Sequence, residues 1–114
     1  MIVPVPINIT IWQGKPWDMS FTWNLNGAPA DLTGHGGRMS LVSTKSGSVP
    51  FVLASVANGL VVLTNPGLIR IFLAPIHTGV LEVGMYEWDY DDLDSFGSPL
   101  GQVASGKARV RRDV

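Results

Sequence analysis

From Trp17 to Leu25 the chain alternates without error. Trp17, Met19, Phe21, Trp23 and Leu25 take the odd positions, and Asp18, Ser20, Thr22 and Asn24 the even ones. A period of two places every apolar side chain on one face of a strand. A helix would scatter the same aromatics around its circumference. Asn26-Gly27 follows at once, the preferred pair for a tight turn that needs positive φ. The segment therefore predicts a strand with one buried face, running straight into a hairpin-type turn.

The rest of the chain repeats this grammar. Ile7, Ile9 and Ile11 alternate with Asn8, Thr10 and Trp12, which predicts a first strand ended by Gln13-Gly14-Lys15-Pro16. Pro4 and Pro6 cannot donate to a ladder, so this end belongs at a sheet edge or in an arm. Ala30-Asp31-Leu32-Thr33-Gly34 reads as a bend held by Asp and Thr side chains. Further strands are predicted over 38–43, 51–55, 60–63, 68–73, 85–90 and 100–110. In the last, Gly106 suggests a bulge. Asn58-Gly59 and Asn65-Pro66-Gly67 supply turns, and 74–83 has room for one helical turn. Tyr86, Trp88 and Tyr90 face one way, opposite Glu87, Asp89 and Asp91. Short strands at this spacing, with turn chemistry between them and no amphipathic helix, predict a single all-β domain over 1–114. The expected fold is an immunoglobulin-like antiparallel β-sandwich of about seven to eight strands.

Composition removes several function classes. The chain is 46% hydrophobic and 15% charged, with a net charge of −1. So near-neutral a chain is not expected to bind nucleic acid or an anionic membrane as its main partner. No apolar run reaches the roughly 18 residues of a spanning helix. The opening MIVPVPINIT lacks a basic region followed by an apolar stretch, so no signal peptide is expected. The absence of Cys excludes disulfides, thiolate zinc sites and a Cys nucleophile.

Candidate chemistry is sparse. Glu82, Glu87, Asp89, Asp91, Asp92 and Asp94 invite a calcium reading. Counted from Asp89, however, the sixth residue is Asp94 rather than Gly and the twelfth is Leu100 rather than Glu. A solvated strand face running into a polar loop is the plainer account. His35 and His77 lie far apart and are expected in loops. No Gly-x-Ser-x-Gly elbow and no phosphate loop occur. The expectation is a protein that is not an enzyme, with no cofactor, no metal and no small-molecule substrate.

The remaining candidates point to contacts with other proteins. Lys107, Arg109 and Arg111 alternate along the last strand, with Arg112 after them. They guard an edge strand by charge, or they form a docking strand for an acidic neighbour. Trp12 falls on the polar face of the first strand, either as a crevice filler or as an interface residue.

The order of these features resembles a group of bacteriophage virion domains, typified by the immunoglobulin-like N-terminal domain of phage baseplate upper proteins. The resemblance is carried by Ile9-Thr10-Ile11-Trp12-Gln13-Gly14, by the alternating aromatic strand and by Asn26-Gly27-Ala28-Pro29-Ala30-Asp31-Leu32-Thr33-Gly34. It continues through Arg38-Met39 and Asn58-Gly59 to Gly84-Met85-Tyr86-Glu87-Trp88-Asp89 and the basic last strand. These are turn and strand motifs rather than catalytic ones, so they speak to fold more than to role. The resemblance implies a virion structural protein, assembled in the host cytoplasm, that binds other virion proteins and copies of itself. In the baseplate proteins further modules follow this domain, whereas this sequence ends at Val114. A small tail or baseplate component or adaptor is therefore expected. The alternatives are a capsid decoration protein, or a carbohydrate- or calcium-binding sandwich module.

Overall fold

A computed structural model describes residues 5–112 of the chain. In chain order the elements are β1 (Val5–Pro6), β2 (Ile9–Trp12), β3 (Trp17–Thr22), β4 (Asn24–Leu25), β5 (Ala28–Pro29) and β6 (Gly36–Ser43). They continue with β7 (Phe51–Ser55), β8 (Val61–Thr64), β9 (Leu68–Leu73), α1 (Pro75–Thr78), β10 (Gly84–Leu93) and β11 (Pro99–Arg111). One sheet runs β1-β11-β10-β6-β7, with β2 also paired to β11, and a second runs β3-β9-β8. The short strands β4 and β5 pair only with each other. Every pairing is antiparallel except those of β1 and β2 with β11.

The core follows from period-two sequence. On β10, Tyr86, Trp88 and Tyr90 are buried between half-buried or exposed acids. On β9, Ile69, Ile71 and Leu73 point inward, and on β6 Met39 and Leu41 do. Ile11, Val103, Ala108 and Val110 close the layer from β2 and β11. Each large apolar side chain buried in this way contributes about 1.5–3 kcal/mol. β11, β10, β6 and β7 occupy the G, F, C and C′ places of a variable-type immunoglobulin sheet. β3, β9 and β8 occupy B, E and D of the other. The Tyr86 hydroxyl donates to the Glu82 carbonyl at 2.7 Å, the tyrosine corner of such folds. Two residues on, where antibody domains place a disulfide Cys, stands the buried Trp88, whose Nε1–H donates to the Ile7 carbonyl at 2.8 Å. The chain is an immunoglobulin-like β-sandwich.

Turn chemistry behaves as the residues dictate. Asn26 and Gly27 have φ of 53° and 83°, as the tight turn requires. Asp31 Oδ1 accepts from both the backbone N–H and the hydroxyl of Thr33. These bonds hold the Asp31 carboxyl below its ordinary pKa.

Four expectations are corrected. The strand expected over 17–25 ends at Thr22. The Trp23 N–H donates to the Gly67 carbonyl, and the chain then leaves the sheet for the β4–β5 hairpin. Leu25 is therefore exposed rather than in the core. No bulge occurs at Gly106, which pairs regularly with Trp88. The register slips instead between Tyr90↔Ala104 and Asp91↔Gln102. Gly106 is needed because a Cβ there would run into the Ile7 carbonyl where the first strands cross β11. β10 continues to Leu93, so Asp92 is a buried strand residue rather than a loop residue. His77 sits in α1, where its Nδ1 accepts the Ala74 N–H at 3.0 Å. Pro6 lies at the sheet edge in β1, as its missing donor demands, and Pro4 lies outside the described residues.

Candidate interaction surface

The parallel pairing of β2 with β11 decides where the nominated residues meet. Its register sets Thr10 beside Arg109 and Trp12 beside Arg111. Ile9 and Ile11 turn inward, so Thr10 and Trp12 face outward with the basic residues of β11. The Arg111 guanidinium lies 5.0 Å from the centre of the Trp12 ring, within the range of a cation–π contact. Trp12 is 41% exposed, so it fills no crevice.

Lys107, Arg109 and Arg111 share one exposed face, as their alternation predicts. Their local partners differ. Lys107 Nζ lies 3.6 Å from Glu87 Oε1, the residue opposite it on β10. Arg109 Nε lies 3.3 Å from the Met85 sulfur. Arg112 stands one residue beyond β11. Arg109, Arg111 and Arg112 border an open hollow of about 540 Å³ floored by Val83, Met85 and Val110. The arrangement offers a flat aromatic, hydrogen-bond donors and positive charge on one strip, a composition suited to protein contact.

The acidic residues do not form a second site. Asp94 Oδ1 accepts the N–H groups of Phe96 and Ser98, which builds the β10–β11 turn. Asp92, buried on β10, sets its Oδ1 2.7 Å from Nδ1 of the half-buried His35. Asp89 and Asp91 stay on the outer face, with Arg38 Nε 3.7 Å from Asp91 Oδ2. Asp89 Oδ1 is buried without a hydrogen-bond partner. Burial first, and then the Asp91 charge, raise its pKa above the ordinary value. Among the described residues no three His, Asp or Glu converge on a point that could hold a metal ion. No helix among them is long and apolar enough to cross a membrane.

One surface escaped the sequence reading. Val49, Phe51, Val52, Ile76 and Val80 are exposed. They line a single recess of about 530 Å³ between β7 and the α1 corner, with Leu53 and Tyr86 behind them. The strand over 51–55 is legible, but its place at the sheet edge is not.

No protein-family model matches the sequence, and neither does any curated protein. Among solved structures, the chain is similar to a protein described as a glycoside hydrolase from Bacteroides vulgatus. The TM-score is 0.45 and the identity 12%, over 94% of this chain and 16% of that one. It is also similar to the NK cell receptor NKp44, with a TM-score of 0.47 and 12% identity, over 94% of this chain and 99% of that one.

Proposed function

We propose that this chain is a bacteriophage virion structural protein. It binds other virion proteins in multiple copies, as a tail or baseplate component or adaptor, and carries out no catalysis. The observation that carries the reading is the Trp12–Arg111 strip. Two segments nominated separately, the first strand and the basic last strand, form one exposed surface with an aromatic anchor and unburied cations. Aromatic and Arg side chains are the usual anchors of protein interfaces. The motif order from Ile9 to the basic end of β11 supplies the virion context.

The test is location. Antibodies against the purified chain are applied to phage particles from the source culture and followed by electron microscopy. Label at the tail tip or baseplate is the expected result. Label over the head would move the assignment to capsid decoration. Particles that lack the chain altogether would sink the virion reading. In a second arm, Trp12→Ala and Arg111→Ala are expected to leave the fold intact and to reduce incorporation into particles.

A further inference from the structure

We infer that the chain self-associates through the edge of β7, placing the sheets of two copies side by side. The inference starts from charge. From Ser46 to Ile69 the sequence contains no Asp, Glu, Lys, Arg or His. This uncharged segment builds β7, the outer strand of one sheet, and β8, the outer strand of the other. The short turn over 56–60 joins the two strands, so the two outer strands and their connection form one uncharged edge of the sandwich.

An edge strand exposes unpaired backbone donors and acceptors, and soluble proteins ordinarily guard it with charge or Pro. The other side of this molecule is guarded. Pro6 lies in β1, Arg111 lies over Trp12 of β2, and Asp18 of β3 forms a bidentate pair with Arg70. β7 carries no charge; Pro50 precedes it, and its register against β6 slips between Met39↔Ala54 and Ser40↔Val52. Its residues Phe51–Ser55 are uncharged, with Phe51 and Val52 exposed. Beside it stand Val49 (77% exposed), Ile76 (75%) and Val80 (79%).

The occupant follows from symmetry. A two-fold contact sets the same patch of both copies against itself, so an edge of one charge sign repels itself and a neutral one does not. Antiparallel pairing of β7 with a second β7 satisfies both sets of backbone groups. It also lets the recess over Phe51, Ile76 and Val80 receive the apolar side chains of the partner copy. The edge of β7 itself offers no charged counterpart to a partner; Glu82 and His77 border the recess on the α1 side. The proposal rests on one part of the virion reading, that copies of this chain meet. Its test is separate from particle labelling.

Sedimentation velocity across the micromolar range provides that test. The wild-type chain is expected to shift from monomer to dimer as its concentration rises. Val52→Lys on the strand edge and Ile76→Lys in the recess both replace exposed side chains, so folding is retained, as far-UV circular dichroism checks. Each is expected to weaken the dimer by roughly tenfold or more. A wild-type chain that stays monomeric throughout overturns the proposal. So do lysine variants that dimerise as well as the wild type.

Discussion

The hydroxyl of Tyr86 donates to the carbonyl of Glu82 at 2.7 Å, tying the first turn of β10 back onto the corner that leads into it. Burial, with the Glu82 charge second, raises the pKa of this phenol, so it stays a donor at neutral pH. Tyr86→Phe keeps the ring against Phe51 and deletes only the bond. The expected cost is about 1 kcal/mol. Thermal melts should show Tm lowered by roughly 4 °C. An unchanged Tm would mean that the corner is held by packing alone.

Gly106 and Gly36 provide a matched pair. A Cβ at Gly106 meets the Ile7 backbone carbonyl, which cannot move without dislodging the first strands. One at Gly36 finds only ordinary contact with Leu93, at 3.4 Å. Gly106→Ala should therefore cost about 2 kcal/mol. Gly36→Ala should stay within about 1 kcal/mol of wild type, since Ala restricts the unfolded chain more than Gly. Urea denaturation of the two variants checks this, and equal effects would refute the close crossing at Ile7.

Gly106, which the sequence suggests as a bulge and the fold uses for a close approach to Ile7, shows where local pattern stops being informative. Alternation in 68–73 and 85–90 gave the buried faces of β9 and β10, because a strand's period is local. The Asn-Gly turns were legible for the same reason. Leu25 departs from the expected buried face because alternation does not say where a chain leaves its sheet. The Trp12–Arg111 contact joins residues far apart in sequence through a parallel pairing that no local pattern encodes. Each residue could be nominated alone, but their union could not. β7 was legible as a strand. Its exposure depends on no strand lying beyond it, a property of topology rather than of its own residues.

Asp89 links the outer face to pH. Burial first, and Asp91 next, hold its carboxyl above the ordinary 3.8, with Gln102 and Arg38 acting the other way. An acid raised in the folded state binds its proton more readily there than in the unfolded chain. Its contribution to stability is therefore most favourable at low pH and declines as pH rises from 3.8 through the folded-state value. Asp89→Asn removes that decline. The variant should be more stable than wild type at pH 7, and the gap should narrow on acidification below pH 4. Urea melts of both proteins at pH 7 and pH 3 measure the gap; one that widens in acid would contradict this account. Asp18 and Asp31, whose pKa values are lowered, are common to both proteins and cancel in the comparison.

His35 Nδ1 lies 2.7 Å from Asp92 Oδ1 on the inner side of β10, with Asp92 only 4% exposed. His35 also meets the Trp23 ring edge-on, so the pair anchors the loop before β6 to the core. Removing His35 leaves the buried Asp92 side chain desolvated and without this partner. That costs more than the net worth of the bond. His35→Ala should therefore destabilise by about 2 kcal/mol. In an Asp92→Asn background the stranded group is neutral, and the same His35→Ala change should cost less. A double-mutant cycle read by urea denaturation gives the difference, expected at about 1 kcal/mol for residues in direct contact. Equal costs in the two backgrounds would show that His35 acts through its packing on Trp23 and not through the Asp92 carboxylate.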